Sequence, residues 1–279
     1  MNDRHGALQH RFAFAGVSFR VRASRWELGA EYAALATDVA AQPTIADVTC
    51  EIDVVRGLPA GPRRVFSIEH EAAATHIASA ELAATLSQSR PGHYGATARM
   101  AQNGADALVL GVAAAVHERH GGLNLHAAAI ELDGRAVLFV GPSGAGKSTA
   151  AQLARGARVF AFDRVCVSRH AGAFTAFALP GGSPIDVPRS SQRALPVGAV
   201  FRIRQASGRP RIQPLTAAGA LFALRESTEV TDPSAGAEER RIEAAARLSA
   251  AVPVAELHTV LGYSHLALLG ASRPLHAIA

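Results

Sequence analysis

The chain has 279 residues, 49% of them hydrophobic and 18% charged, which is the composition of packed cores and excludes a disordered polymer. Its net charge of +5 comes almost wholly from arginine, and no Lys/Arg-rich run or basic–aromatic alternation is present, so no nucleic-acid partner is expected. No run of about 18 apolar residues occurs and Met1–Gly16 lacks a secretory apolar core, so the reading is a cytoplasmic protein without a membrane span.

Residues 11–22 alternate apolar and polar, which predicts a strand or hairpin. Trp26–Thr37 has helical spacing, residues 47–55 alternate again, Leu58–Arg64 reads as a turn and Val65–His70 as a further strand. The first third thus reads as a small α+β module, assigned to residues 1–103. It carries no catalytic motif. His70, His76 and His93 are scattered and read as structural or surface histidines. Cys50 and Cys166 lie far apart without metal-ligand spacing and read as buried free thiols.

A second region, residues 104–279, opens with an apolar helix over Gly104–Arg119 and a strand over Leu123–Leu132. Asp133-Gly134 is a hairpin signal joining that strand to a short apolar one, Arg135–Val140. A hairpin at this point argues for a mixed sheet rather than an alternating parallel one. A helix starts at Ser148, and Ala157–Asp163 reads as an apolar strand ending in an acid. Leu179–Pro184 is turn-rich; 199–205 and 211–214 read as strands around a turn; 216–224 is helical. Thr231–Gly236 is a polar loop, followed by a helix over 237–251 and a last strand over 254–260.

The chemistry is concentrated between the first two of these strands and the helix. Gly141-Pro142-Ser143-Gly144-Ala145-Gly146-Lys147-Ser148-Thr149 fits the G-x-x-x-x-G-K-[ST] phosphate-binding loop, flanked by a strand and a helix as that motif requires. Its glycines permit positive φ and close approach of backbone to phosphate. Successive N–H groups can then converge at the positive end of a helix. Lys147 is the only lysine in the chain, and its ammonium would reach the terminal phosphates of a nucleoside triphosphate. The Ser148 hydroxyl would hold Mg²⁺, and Asp163, after the next strand, would support the metal. Arg189, Arg202, Arg204 and Asp186 are weaker candidates, with surface solvation their default reading.

The block 125–165, LHAAAIELDGRAVLFVGPSGAGKSTAAQLARGARVFAFDRV, resembles the C-terminal domain of the HPr kinase/phosphorylase family. It resembles still more closely the HPr-kinase-related proteins of peptide-modification clusters, including lasso-peptide serine kinases, and residues 194–224 share that likeness. The resemblance implies an α/β fold, with a P-loop on a mixed sheet of the HPr kinase and phosphoenolpyruvate carboxykinase type, behind the small N-terminal module. It implies a homo-oligomer, ATP and Mg²⁺ as cofactors, and an ATP-dependent kinase that phosphorylates a Ser/Thr hydroxyl of a peptide or small protein. It places His126 near the transferred phosphate, so that His126, Lys147 and Asp163 form the catalytic set, with Ser148 and Asp163 on the metal. Two positions depart from the family. Phe162 stands where the first of two adjacent aspartates is found, and Thr149 where a glutamate follows the loop serine. With one carboxylate missing, the proton acceptor is either His126 or Asp163. Two further readings stand beside the kinase: a nucleotide-binding accessory or regulatory protein without phosphotransfer, and a metabolite kinase of carboxykinase-like architecture.

Overall fold

The computed structural model describes residues 8–15, 17–23, 48–56, 67–71, 73–101, 105–170, 172–178 and 194–271. The helix read at 26–37, the turn at 58–64, the loop at 179–184, Asp186 and Arg189 lie outside the described residues. The chain is mixed α/β, mostly strand, with two mixed sheets in two compact units. One unit takes the chain up to His120 together with Val230–Glu238, and the other takes Gly121–Glu229 and Glu239 onward.

The first unit holds seven strands: β1 (Leu8–Phe14), β2 (Val17–Ala23), β3 (Thr49–Arg56), β4 (Ser67–Glu71), β5 (Ala74–Ala78), β6 (Leu82–Arg90) and β7 (His93–Met100). Their order is β1-β2-β3-β7-β6-β5-β4, with β2, β3 and β7 parallel to one another and the remaining pairs antiparallel. Alternation buries one face, with Phe19, Ile52, Ile77, Leu82 and Leu86 among its largest enclosed side chains. Ion pairs Arg20–Glu51 and Arg22–Asp53, each 2.7 Å, join β2 to β3 in register across the more open face. The apolar helix read at 104–119 appears as α1 (Ala105–Leu108), a π-helical stretch at Val109–Ala113 and α2 (Ala114–Arg119). The buried Glu118 carboxylate accepts hydrogen bonds from Thr231 N at 2.7 Å, Thr231 Oγ1 at 2.6 Å and Asp232 N at 3.1 Å. Those bonds explain why the 230–238 segment belongs with this unit.

The second unit is built on a nine-stranded sheet from β8 (Leu123–His126), β9 (Ala128–Leu132), β10 (Arg135–Val140), β11 (Arg158–Ala161), β12 (Arg164–His170), β13 (Ala173–Ala178), β14 (Leu195–Gln205), β15 (Arg211–Pro214) and β16 (Val254–Thr259). The path runs β11-β9-β10-β14-β13-β12-β8, and β16 pairs parallel with the far half of β14 while β15 closes against β16. The β9–β10 hairpin turns on Asp133 and Gly134, with φ of 52° and 71°, the two positive values of a type I′ turn. Beyond it β10 pairs parallel with β14, so the hairpin feeds a mixed sheet as its turn residues predict.

Side chains of β10 alternate between two cores. Ala136, Leu138 and Val140 join one with Leu224, Ala244, Ala245 and Leu248, contributed by α4 (Ala217–Glu226) and α5 (Ala237–Ala251). Val137 and Phe139 join the other with Ala150, Ala151 and Leu269, from α3 (Lys147–Leu153) and α6 (Leu266–Ala271). Helices therefore cover both faces of β10, which makes its six residues an almost unbroken apolar run.

The structure corrects two strand readings. Residues 123–132 do not form one strand: the chain leaves its partner β12 after His126 and resumes against β10 and β11 at Ala128. Residues 157–163 do not run as a strand into the acid: β11 ends at Ala161, and Phe162 and Asp163 form a bend before β12. The two breaks face each other, and Ala127 N donates to Asp163 O at 2.9 Å. Register passes through them unchanged, from Ala129 opposite Ala161 to His126 opposite Arg164. Neither segment contains a glycine or proline to announce the interruption.

Candidate functional site

The double break is what builds the site. By interrupting two antiparallel strands at the same level, it turns His126, Asp163 and Arg164 toward one place. His126 Nδ1 lies 3.2 Å from Asp163 Oδ1, and Arg164 Nε lies 3.6 Å from Asp163 Oδ2. A fourth charged group joins them: Glu229 Oε1 is 3.2 Å from Arg164 Nε and 3.8 Å from His126 Nδ1. All four side chains are partly buried, between 25% and 35% exposed. Neither Glu229 nor Arg164 was legible as a site residue, because neither belongs to a motif and each reaches the site only through strand pairing.

The glycine loop lies between β10 and α3. Gly141, Gly144 and Gly146 have φ of 140°, 78° and 94°, all values that L side chains rarely adopt. At Gly146 the backbone conformation and not lack of space requires glycine, since an added β-carbon would lie in ordinary contact, 3.6 Å, with Gln205 Nε2, whose amide donates to Gly144 O at 3.3 Å. Pro142, Ser143 and Gly144 are exposed, Ala145 and Gly146 half-buried, and Thr149 faces solvent on α3. Lys147 is buried, and its Nζ donates to Gly141 O and Pro142 O, each at 3.0 Å, closing the loop on itself. The Ser148 hydroxyl donates to Phe162 O at 2.9 Å, which sets it one residue from Asp163. The first residue of the loop is fixed from α4: Gly141 N donates to Ser227 Oγ at 2.9 Å, and that hydroxyl donates to Ala223 O at 2.9 Å.

The segment after α4 therefore touches both halves of the site. Thr228 bridges Leu125, His126 N donates to Ser227 O at 2.8 Å, and Glu229 N donates to Asn124 O at 2.7 Å. Residues 227–229 lie along the open edge of β8 as a one-bridge extension, which delivers the Glu229 carboxylate to His126 and Arg164. By contrast Arg202 is held on α4 by Glu226 at 2.8 Å and lies over the Phe222 ring, and Arg204 pairs with Glu256 at 3.0 Å.

Crowding of charge at low exposure shifts three groups. Burial lowers the His126 imidazole below its ordinary value, assisted by Lys147 and Arg164 and opposed by Asp163. Burial lowers the Lys147 ammonium too, against the pull of Asp163 and Glu229. Glu229 moves the other way: burial raises its carboxyl, Asp163 adds to the rise, and Arg164 and Lys147 restrain it. The site thus holds a neutral imidazole, an ammonium less firmly protonated than usual, and a carboxylate more basic than usual, a combination found at sites of proton and group transfer.

The oxygens of Ser148 and Asp163 are hard donors of the kind Mg²⁺ takes, alongside phosphate and water. Among the described residues no cluster of three or more His, Cys, Asp or Glu side chains could hold a metal by itself. No helix among them is long and apolar enough to cross a membrane.

Residues 104–262 match a family model described as SynChlorMet cassette protein ScmC. No curated protein matches the chain. Among solved structures, the Hpr(Ser) kinase/phosphatase from Coxiella burnetii aligns with 56% of this chain and 96% of its own, at 12% identity and a TM-score of 0.30, too distant a likeness to enter the argument.

Proposed function

This chain belongs to the SynChlorMet cassette protein ScmC family, and we propose that it is an ATP-dependent phosphotransferase of the HPr-kinase-like P-loop type, acting on a serine or threonine hydroxyl of a peptide or small protein. One observation carries the reading: a glycine loop with three left-handed glycines and the chain's only lysine lies beside Ser148, Asp163 and His126. The loop from Gly141 to Thr149 would cradle the phosphates of ATP, with Lys147 turning from the carbonyls of Gly141 and Pro142 to the terminal phosphates. Ser148 and Asp163 would hold Mg²⁺, which supplies neutralisation of the charge that develops on the transferred phosphoryl group. His126, neutral near pH 7, holds Asp163 through Nδ1. Phosphoryl transfer is mostly positioning and charge neutralisation, and these residues provide both.

The test incubates the full chain with Mg²⁺, γ-labelled ATP, the peptide products of its own cassette, and an arrayed library of peptides bearing a central serine or threonine. Transfer of label to peptide, lost in Lys147→Ala, supports the reading. Intact ATP binding without transfer to any peptide refutes it. That second outcome would favour a nucleotide-binding accessory protein, the reading for which Phe162, in place of a carboxylate, is the specific motive.

A further inference from the structure

The fold brings a second carboxylate, Glu229, into the cluster around Asp163 from 66 residues further along the chain. Resting on the phosphotransferase reading, we infer that Glu229 is the base that takes the proton from the acceptor hydroxyl. The division of labour follows from contacts. Asp163 Oδ1 lies 3.2 Å from His126 Nδ1 and Oδ2 lies 3.6 Å from Arg164 Nε. Its neighbour's carbonyl holds the Ser148 hydroxyl, which assigns Asp163 to the metal side. Glu229 meets the same Arg164–His126 pair, with Oε1 3.2 Å from Arg164 Nε and 3.8 Å from His126 Nδ1, and has no tie to Ser148 among the described residues, so its carboxylate is the one left to meet an incoming hydroxyl.

The residue is also built into place rather than left on a mobile side chain. Its backbone N–H is bonded to β8 at Asn124, and Ser227, two residues earlier, is bonded to the first residue of the glycine loop. One short segment thus fixes the distance between the phosphate cradle and the base. The groups facing Glu229 are His126 from β8, Asp163 from the bend, Arg164 from β12 and Lys147 from α3. With the imidazole neutral, Arg164 and Lys147 are the cations, and burial together with Asp163 outweighs them, so the carboxylate is more basic than an ordinary glutamate. A base closer to the working pH is the more effective one.

In the step itself, the acceptor O–H gives its proton to Glu229, and the electron pair left on that oxygen forms the new bond to the γ-phosphorus. The bond from the γ-phosphorus to the bridging oxygen breaks, and its pair leaves on ADP. Glu229 then returns the proton to solvent.

The experiment measures label transfer from Mg·ATP to the arrayed serine and threonine peptides, against pH, for the wild-type full chain, Glu229→Gln, Glu229→Asp and His126→Asn. ATP affinity is followed separately by equilibrium binding. The assignment expects Glu229→Gln to lose about 10²–10⁴-fold in transfer at saturating ATP. ATP affinity stays within about threefold, a change of under about 0.7 kcal/mol, because Glu229 lies outside the phosphate-binding loop. The acidic limb of the rate profile disappears in Glu229→Gln and persists in Glu229→Asp and His126→Asn. An active wild type whose Glu229→Gln variant keeps both its rate and its acidic limb overturns the assignment, as does loss of that limb in His126→Asn alone. A wild type that binds ATP and labels no peptide overturns the phosphotransferase reading, and this one with it.

Discussion

Removing the Ser227 hydroxyl isolates the tie between α4 and the glycine loop. The hydroxyl is buried, accepts from Gly141 N at 2.9 Å and donates to Ala223 O at 2.9 Å. In Ser227→Ala the Gly141 N–H is left buried without a partner, which costs about 1–3 kcal/mol. The lost bond to Ala223 adds about 0.5–1.5 kcal/mol, so the total is roughly 1.5–4.5 kcal/mol. Thr228→Ala is the matched control. Its hydroxyl also donates four residues back, to Leu224 O at 2.8 Å, but among the described residues no donor relies on it as an acceptor, and the side chain is only half-buried. That variant should cost about 0.5–1.5 kcal/mol. Urea unfolding followed by far-UV circular dichroism measures the difference. Amide exchange by mass spectrometry should show the 137–146 peptide exchanging faster in Ser227→Ala alone. Equal losses in the two variants, with Gly141 equally protected, would refute the claim that Ser227 fixes the start of the loop.

Three further outcomes follow from the same geometry. An acyl-phosphate derivative of ATP should acylate one side chain, Lys147, since it is the only lysine, and excess ATP should suppress the reaction in a peptide map. The depressed ammonium makes that acylation fall off at a lower pH than for a free lysine amine with its ordinary value of 10.5. Glu229→Gln should raise the melting temperature above neutral pH: a carboxyl raised on folding loses stability as pH climbs from 4.5 through the folded value, so the variant's advantage grows over that window and vanishes below it. Gly134→Ala should cost about 1–2 kcal/mol by urea titration, because φ is 71° while nothing lies within 4 Å of the added β-carbon, leaving backbone strain as the whole effect.

Local chemistry made part of the fold legible. Asp133-Gly134 announced the hairpin, the capping Thr216 accepts from Gly219 N at 3.1 Å at the start of α4, and the charged 237–251 run became α5 with its boundaries as read. Strands whose residues carry weak β preference were not legible. Ala74–Met100 is rich in Ala, which is depleted in strands, yet it supplies β5, β6 and β7, which form because β7 pairs with β3 from far along the chain. The long apolar stretch 123–132 concealed a change of partner for the opposite reason: its pattern suits a strand throughout, and only the identity of the neighbouring strand changes at Ala127.

The same distinction separates the two halves of the site. The loop from Gly141 to Ser148 is contiguous, and its chemistry depends on glycine conformations and one lysine that a sequence displays directly. The cluster around His126 is assembled by pairing. His126 meets Arg164 through a β8–β12 register, Asp163 through the shared break, and Glu229 through a single bridge at Thr228. A chain read in one dimension therefore shows Phe162 as a lost carboxylate, since the acid that a neighbouring position would have supplied is absent there. In three dimensions the relevant neighbour is the edge of β8, and the chain fills that edge with Ser227, which fixes the loop, and Glu229, which faces the histidine. The cluster that results holds a pair of carboxylates, one arginine and a neutral imidazole, drawn together from three separate stretches of the chain.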